Sequence, residues 1–449
     1  MTRTLAAVLM SGAAVLVPSL ASAQTPAPTF SNDVAPIFYK NCTVCHRPGE
    51  IAPMSLLTYT EARPYLRAIA NQVSRGTMPP WHADPAHGQF SNDRRLTAAE
   101  KDTILRWVTN GAPEGDPANL PPQPVYADGW SIGKPDAVFA LGEDYSVPAS
   151  GTIDYKYFEV PTNLTEDKWI QAFEVKPGNP AVVHHVIVYA RPPQRPQSGE
   201  AKGNARRQGQ SPFTFGPNME EPESVKANAA RQSTPNDRPA PASGMGLFVG
   251  GFAPGQNLRV FKEGTAMRLP AGSTLIFQMH YTANGQGGTD RTKIGFAFAK
   301  SAPKQETITA ALVNANFTLP AGAPRTQVDA EVTLNVDTTL WSLLPHTHVR
   351  GRSWEIQVTY PDGRKEIVLA VPNYDFNWQT DYIFKEPLQL PKGTVIRTSA
   401  WYDNSPSNKS NPDPTKDVHW GEQTWEEMQF TAFTFTLNPP ARQSTGAQQ

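Results

Sequence analysis

From about residue 150 onward, apolar and polar positions alternate in short runs: AVVHHVIVYA (181–190), STLIFQMHYTA (273–283), AEVTLNV (330–336), WEIQVTY (354–360) and TVIRTSAWY (394–402). Gly, Pro, Asn and Asp bound them. Period-two runs closed by turn residues predict antiparallel strands, most simply stacked as sandwiches. The chain before them reads differently. TAAEKDTILRWVTNG (97–111) opens with a Thr97–Glu100 capping box and carries an apolar stripe at Ile104, Leu105 and Val108. Gly111 stands at its end, so a helix is expected there. Between the two regions GAPEGDPANLPPQP (111–124) has the Pro/Gly texture of a linker. Residues 191–244 are polar and low in complexity and are expected to form a long insertion loop.

Composition narrows the class. The chain has 449 residues, 39% hydrophobic and 18% charged, which fits a globular protein of several domains. Its net charge is -1 with no basic stripe, so no nucleic acid partner is expected. At the start, Arg3, the apolar run Leu5 to Leu16 and Ala21-Ser22-Ala23 have the layout of a cleaved export signal. An uncleaved anchor is the competing reading, but the run falls short of the ~20 residues a span needs. The mature chain is therefore expected to have no membrane span and to be periplasmic or secreted.

Only two cysteines exist, both in CTVCH (42–46). C-x-x-C-H is the attachment signature of c-type haem: Cys42 and Cys45 would carry the haem and His46 would be an axial ligand. A redox-active dithiol is the alternative, but no βαβ pattern surrounds the motif. The second axial ligand is sought in GTMPPWHADPAHG (76–88), where Met78 leads, followed by His82; Met54, outside this segment, is a remote third. Residues 30 to 116 resemble the small class I cytochromes c, and that resemblance implies an all-α domain.

Five of the nine histidines lie inside apolar strand patterns: His184, His185, His280, His346 and His348. One histidine in such a strand is ordinarily a satisfied core residue. Five, with two pairs among them, point to metal. In LLPHTHVRG (343–351), positions i and i+2 of a strand share a face, so His346 and His348 could chelate together. His184 and His185 alternate faces, and would need a strand end, a bulge or different ring nitrogens. His280 could complete a set of three. Met428, in GEQTWEEMQFTAFTF (421–435), is either a core methionine or a soft donor of the kind that selects Cu(I). His419 is read as a surface residue, with a role near Met428 as the alternative.

In this order, HH-x-x-x-Y, M-H-Y-x-x-N-G, H-T-H and the late E-M resemble the copper type II ascorbate-dependent monooxygenases, which include peptidylglycine alpha-hydroxylating and dopamine beta-monooxygenases. The resemblance spans roughly residues 150 to 440. It implies two jelly-roll β-sandwich domains, each holding one copper, facing each other across a solvent-filled cleft. His184, His185 and His280 would be the ligands of an electron-transfer copper. His346, His348 and Met428 would hold the catalytic copper, where O2 binds and a C–H bond is hydroxylated. Leu344, Phe430 and Ala432 stand where peptidylglycine hydroxylation uses arginine, asparagine and tyrosine to hold substrate. A peptide carboxylate is therefore not expected, but a small neutral molecule is.

The expected organisation is multidomain: signal peptide 1–23, an all-α cytochrome c-like haem domain 24–118, a linker 119–148, a first copper β-sandwich 149–305 containing the 191–244 insertion, a second copper β-sandwich 306–440, and a disordered tail 441–449. The expected function is that of a monooxygenase with two copper ions and one covalent haem, which relays electrons from a periplasmic or small-molecule donor. A non-catalytic haem and copper electron carrier or copper-binding protein is the alternative.

Overall fold

The computed structural model describes residues 26–126, 129–193, 213–215, 246–254 and 256–438. The signal peptide, most of the insertion and the tail lie outside the described residues. No helix among those described is long and apolar enough to cross a membrane.

The alternating runs do form antiparallel strands. One four-stranded sheet orders Lys156–Pro161, Thr274–Tyr281, Val183–Arg191 and Leu247–Phe252. A five-stranded sheet orders Lys365–Val371, Gly351–Thr359, Val395–Tyr402, Thr326–Leu334 and Phe213–Phe215. Both pack against a single nine-stranded sheet. That sheet begins with strands of the first sandwich, passes from Thr265–Leu269 to Gln305–Val313 through a short parallel pairing, and continues into Phe430–Leu437, Thr338–His346 and Tyr382–Leu390 of the second. Two separate apolar cores result, one around Phe277, Phe296 and Leu275, the other around Trp354, Phe435 and Ile356. Part of the expected linker is structural: Ala137–Ala140 pairs with Lys293–Phe298, and Tyr145–Val147 with Gly288–Asp290.

The all-α N-terminal domain is a correction. Described helix there amounts to Ala35–Asn41, Tyr59–Ala62, Leu66–Arg75 and Ala98–Thr109, of 7, 4, 10 and 12 residues, and the molecule is mostly β-sheet. The helices share one small core around Phe30, Phe38, Ile104 and Trp107. The capping box on Ala98–Thr109 forms as expected, and Trp107, absent from the expected stripe, is fully buried with its Nε1 donating to Pro113 O at 3.0 Å. Residues 81–92 leave this small core altogether. Trp81, Ala83 and Phe90 are buried in the second sandwich instead, and Asp84 N donates to Ala370 O at 2.8 Å and Ser91 N to Ile383 O at 2.8 Å. The physical reason lies in the composition. Four short helices offer too little apolar surface to enclose two more aromatics, and Pro79 and Pro80 just before the stretch, with Pro85 inside it, keep it from extending them as helix.

Candidate metal centres and the CTVCH turn

His184 and His185 open the strand Val183–Arg191, and His280 lies opposite on Thr274–Tyr281. The ladder pairs His280 with His185 and Tyr281 with Val183, which leaves His184 as the extra residue of a β-bulge. The bulge bends the strand, so two neighbouring imidazoles reach one site. Nδ1 of His184 lies 3.1 Å from Nδ1 of His185, which lies 3.4 Å from Nδ1 of His280. Nitrogens about 2.0–2.1 Å from a shared metal stand about 3.3–3.5 Å apart at tetrahedral or trigonal angles. These three residues form a group able to hold a metal ion. Burial, then the neighbouring imidazoles, pushes His185 far below the ordinary histidine range and His280 down to about 3; burial also lowers His184. All three are neutral at pH 7, with lone pairs to donate.

The second pair is built differently. His346 ends the strand Thr338–His346, and His348 sits in the turn that follows. His346 Nδ1 donates to Gln379 Oε1 at 3.0 Å, and His348 Nδ1 donates to Glu426 O at 3.1 Å. An acceptor at Nδ1 fixes the tautomer and leaves the lone pair on Nε2. Nε2 of His348 is buried without a hydrogen-bond partner, as a metal-directed nitrogen should be. Burial drives His346 to about 3 and His348 to about 4. Glu427 clamps the turn, accepting from the backbone of His348 at 2.8 Å and of Arg350 at 2.6 Å. Desolvation raises its carboxyl to about 8. Met428 follows directly, half-buried, and lines the same cavity as His346 and His348.

The two sets are close neighbours. Gln379 Nε2 reaches His185 Nδ1 at 3.5 Å while its Oε1 holds His346, so one amide stands between them. Phe376 flanks both sets: its ring is stacked 5.3 Å from His184 and lies 5.9 Å from His348. An aromatic ring and an amide thus stand between the sets, beside a cavity that His185, His346 and His348 all line. Nothing in the sequence marked Phe376 or Gln379, and Glu427 stood out only as part of the E-M motif. The loop 372–381 carries no periodic pattern that would place the first two. His419 is exposed, with Nδ1 at 3.2 Å from Thr318 Oγ1.

At the CTVCH turn, Cys45 N and His46 N both donate to Cys42 O, at 3.1 and 2.9 Å. His46 Nδ1 donates to Met54 O at 3.2 Å, again leaving Nε2 with the lone pair. The thiols are not joined in a disulfide. Burial pushes Cys42 up to about 12 and also raises Cys45. Met54 packs at the margin of the small helical core with Cys42. Met78 is half-buried in the turn beyond Gly76, and His82, half-buried next to Trp81, is lowered by burial. Ile51, five residues past His46, rests against the first sandwich core.

No protein-family model and no curated protein matches the chain. Among solved structures, the major capsid protein P2 from bacteriophage PM2 aligns at 10% identity and TM-score 0.26 over 68% of this chain and 98% of that one. PNGF-II aligns at 10% identity and TM-score 0.26 over 67% and 65%, and a Paenibacillus xanthan lyase at 9% and 0.17 over 71% and 28%. Likeness this low carries no argument about fold or chemistry.

Proposed function

We propose that this chain is a copper-dependent monooxygenase, an oxidoreductase acting on paired donors, which hydroxylates a C–H bond of a small organic substrate and carries a covalent c-type haem on Cys42, Cys45 and His46. The observation that carries the proposal is the pair of unlike donor sets one amide apart: three converging Nδ1 atoms on one side, and on the other two histidines turned to present Nε2, with Met428 on the same cavity. Three imidazoles suit a copper that cycles between oxidation states, whereas two imidazoles with a thioether favour Cu(I). Bound copper would supply O2 activation at the second set and one electron at each. The overall balance is R–H + O2 + two electrons + two protons giving R–OH + water.

The protein's part follows from its own groups. Gln379 and the Glu426 carbonyl hold the imidazole tautomers, and burial keeps the rings unprotonated. Phe376 packs against a ring of each set. Cys42, Cys45 and His46, with Met78 as a further donor, would hold the haem, which would supply electron relay from a periplasmic or small-molecule donor. A cavity beside the second set has no use in a simple electron carrier, which favours the oxygenase.

The test is direct. The full chain, loaded with haem and copper, is given a reductant and O2 and screened against small organic compounds. Products heavier by one oxygen are expected, in proportion to O2 consumed. Reversible copper redox cycling with no product from any compound would favour the carrier.

A further inference from the structure

The cavity beside His346, His348 and Met428 measures about 200 Å³ and is walled by both sandwiches. Its floor can be read from strand register. His346 lies opposite Phe430, which lies opposite Val313. Two residues along, on the same face, Leu344, Ala432 and Ala311 form the next row. One row further come Ser342, Thr434 and Thr309, with the two threonine hydroxyls bonded to each other at 3.1 Å. The face therefore runs from imidazole, through small and apolar side chains, to a polar end. From the first sandwich, Val186, Phe248 and Phe252 close the space.

Three lining residues other than histidine are charged, and each has a partner. Arg259 Nη1 donates to the Asp381 carboxylate and to Ser342 Oγ at 3.0 Å. Glu422 accepts from the Tyr157 hydroxyl at 2.8 Å. A carboxylate would enter a largely apolar space and find Arg259 already neutralised by Asp381, with the Glu422 carboxyl also on the wall, so it would lose hydration without gaining a counter-ion.

We infer that this cavity binds an uncharged, largely apolar molecule of about the size of a substituted benzene, and that the Arg259–Asp381 pair makes it reject carboxylates. The size follows from comparison with apolar protein cavities of about 150 Å³ that take up benzene. Identifying the occupant as the substrate rests on the proposed function; the binding preference does not.

The experiment is equilibrium binding to the full-length protein, with and without copper, by titration calorimetry. Ethylbenzene is the neutral probe, and phenylacetate is its charged counterpart of similar size. Ethylbenzene binds at least tenfold tighter than phenylacetate in both metal states. Ala432→Trp fills the middle row and removes that binding while copper stoichiometry is kept. Asp381→Asn frees Arg259 and raises phenylacetate affinity at least tenfold; should that variant not fold, the Ala432→Trp comparison decides alone. Equal affinity for a charged probe, or undiminished ethylbenzene binding in Ala432→Trp, overturns the inference. Ethylbenzene binding with no compound ever hydroxylated would instead count against the oxygenase and leave the inference standing.

Discussion

His184 is the residue on which the first donor set turns. In a regular strand it would point away from His185, and only the bulge at the Val183–Tyr281 pairing brings both rings to His280. The sequence contains the doublet but not the bulge, because a bulge depends on how two distant strands pair. The H-T-H spacing predicted two rings on one strand face, but only His346 is on the strand; His348 sits in the turn that follows, which Glu427 holds. Burying five neutral imidazoles has a consequence for stability in the metal-free protein. Their folded pKa values lie below the usual 6.5, so below that pH the unfolded chain binds protons that the folded one refuses. Stability should therefore fall as pH drops from 6.5 toward about 4, by up to about 1.4 kcal/mol per pH unit for each group. Glu427 acts oppositely: its raised pKa means stability lost as pH rises from about 4.5 toward 8. Five groups outweigh one on the acid side. Urea denaturation of metal-free protein at pH 7, 6 and 5 checks this, and a flat profile would rule out burial of the cluster. His280→Phe should reduce the acid-side slope.

At the scale of elements, alternation and capping signals were legible. The strands from Val183–Arg191 through Val395–Tyr402 and the capped helix Ala98–Thr109 form where the pattern predicts. What the pattern could not reveal was the destination of segments without a period. Residues 76–88 read as the segment that supplies a second haem ligand, yet Trp81 and, just beyond the segment, Phe90 insert into the second sandwich, in contact with Tyr382 at 5.0 and 5.4 Å between ring centres. The loop 372–381 likewise gave no sign that Phe376 and Gln379 would stand between the histidine sets. Removing a buried tryptophan leaves a large cavity, and Trp81→Ala is expected to cost about 3–5 kcal/mol. Limited proteolysis of that variant should show new cleavage within 76–96, while cleavage confined to other segments would argue against the docking. Thr97→Ala, which removes one cap hydrogen bond at an exposed site, should cost only about 1 kcal/mol.

For the whole molecule, the sequence pointed to a separate all-α unit before two sandwiches, and the structure replaces it with a few short helices braced against both. Ile51 touches the first sandwich core and Trp81 enters the second. Composition could not show this, because the apolar residues that make the bracing contacts are few and lie in loops. Under the proposed function, electrons from the haem turn feed the first donor set. His46→Ala should then lower turnover with a protein donor at least tenfold, yet leave turnover with a small reductant that reaches copper directly nearly unchanged. Stopped-flow reduction of copper in the variant separates the two routes, and equal rates with both donors would remove the haem from the pathway.

The nine-stranded sheet passes from one sandwich into the other through a two-residue parallel pairing, and the part-buried Arg259–Asp381 contact also joins the two. A hinge motion between the halves would have to break both. Any charge hopping from one histidine set to the other would start from a fixed separation rather than waiting on closure, so thickening the medium with glycerol should leave that step's rate untouched.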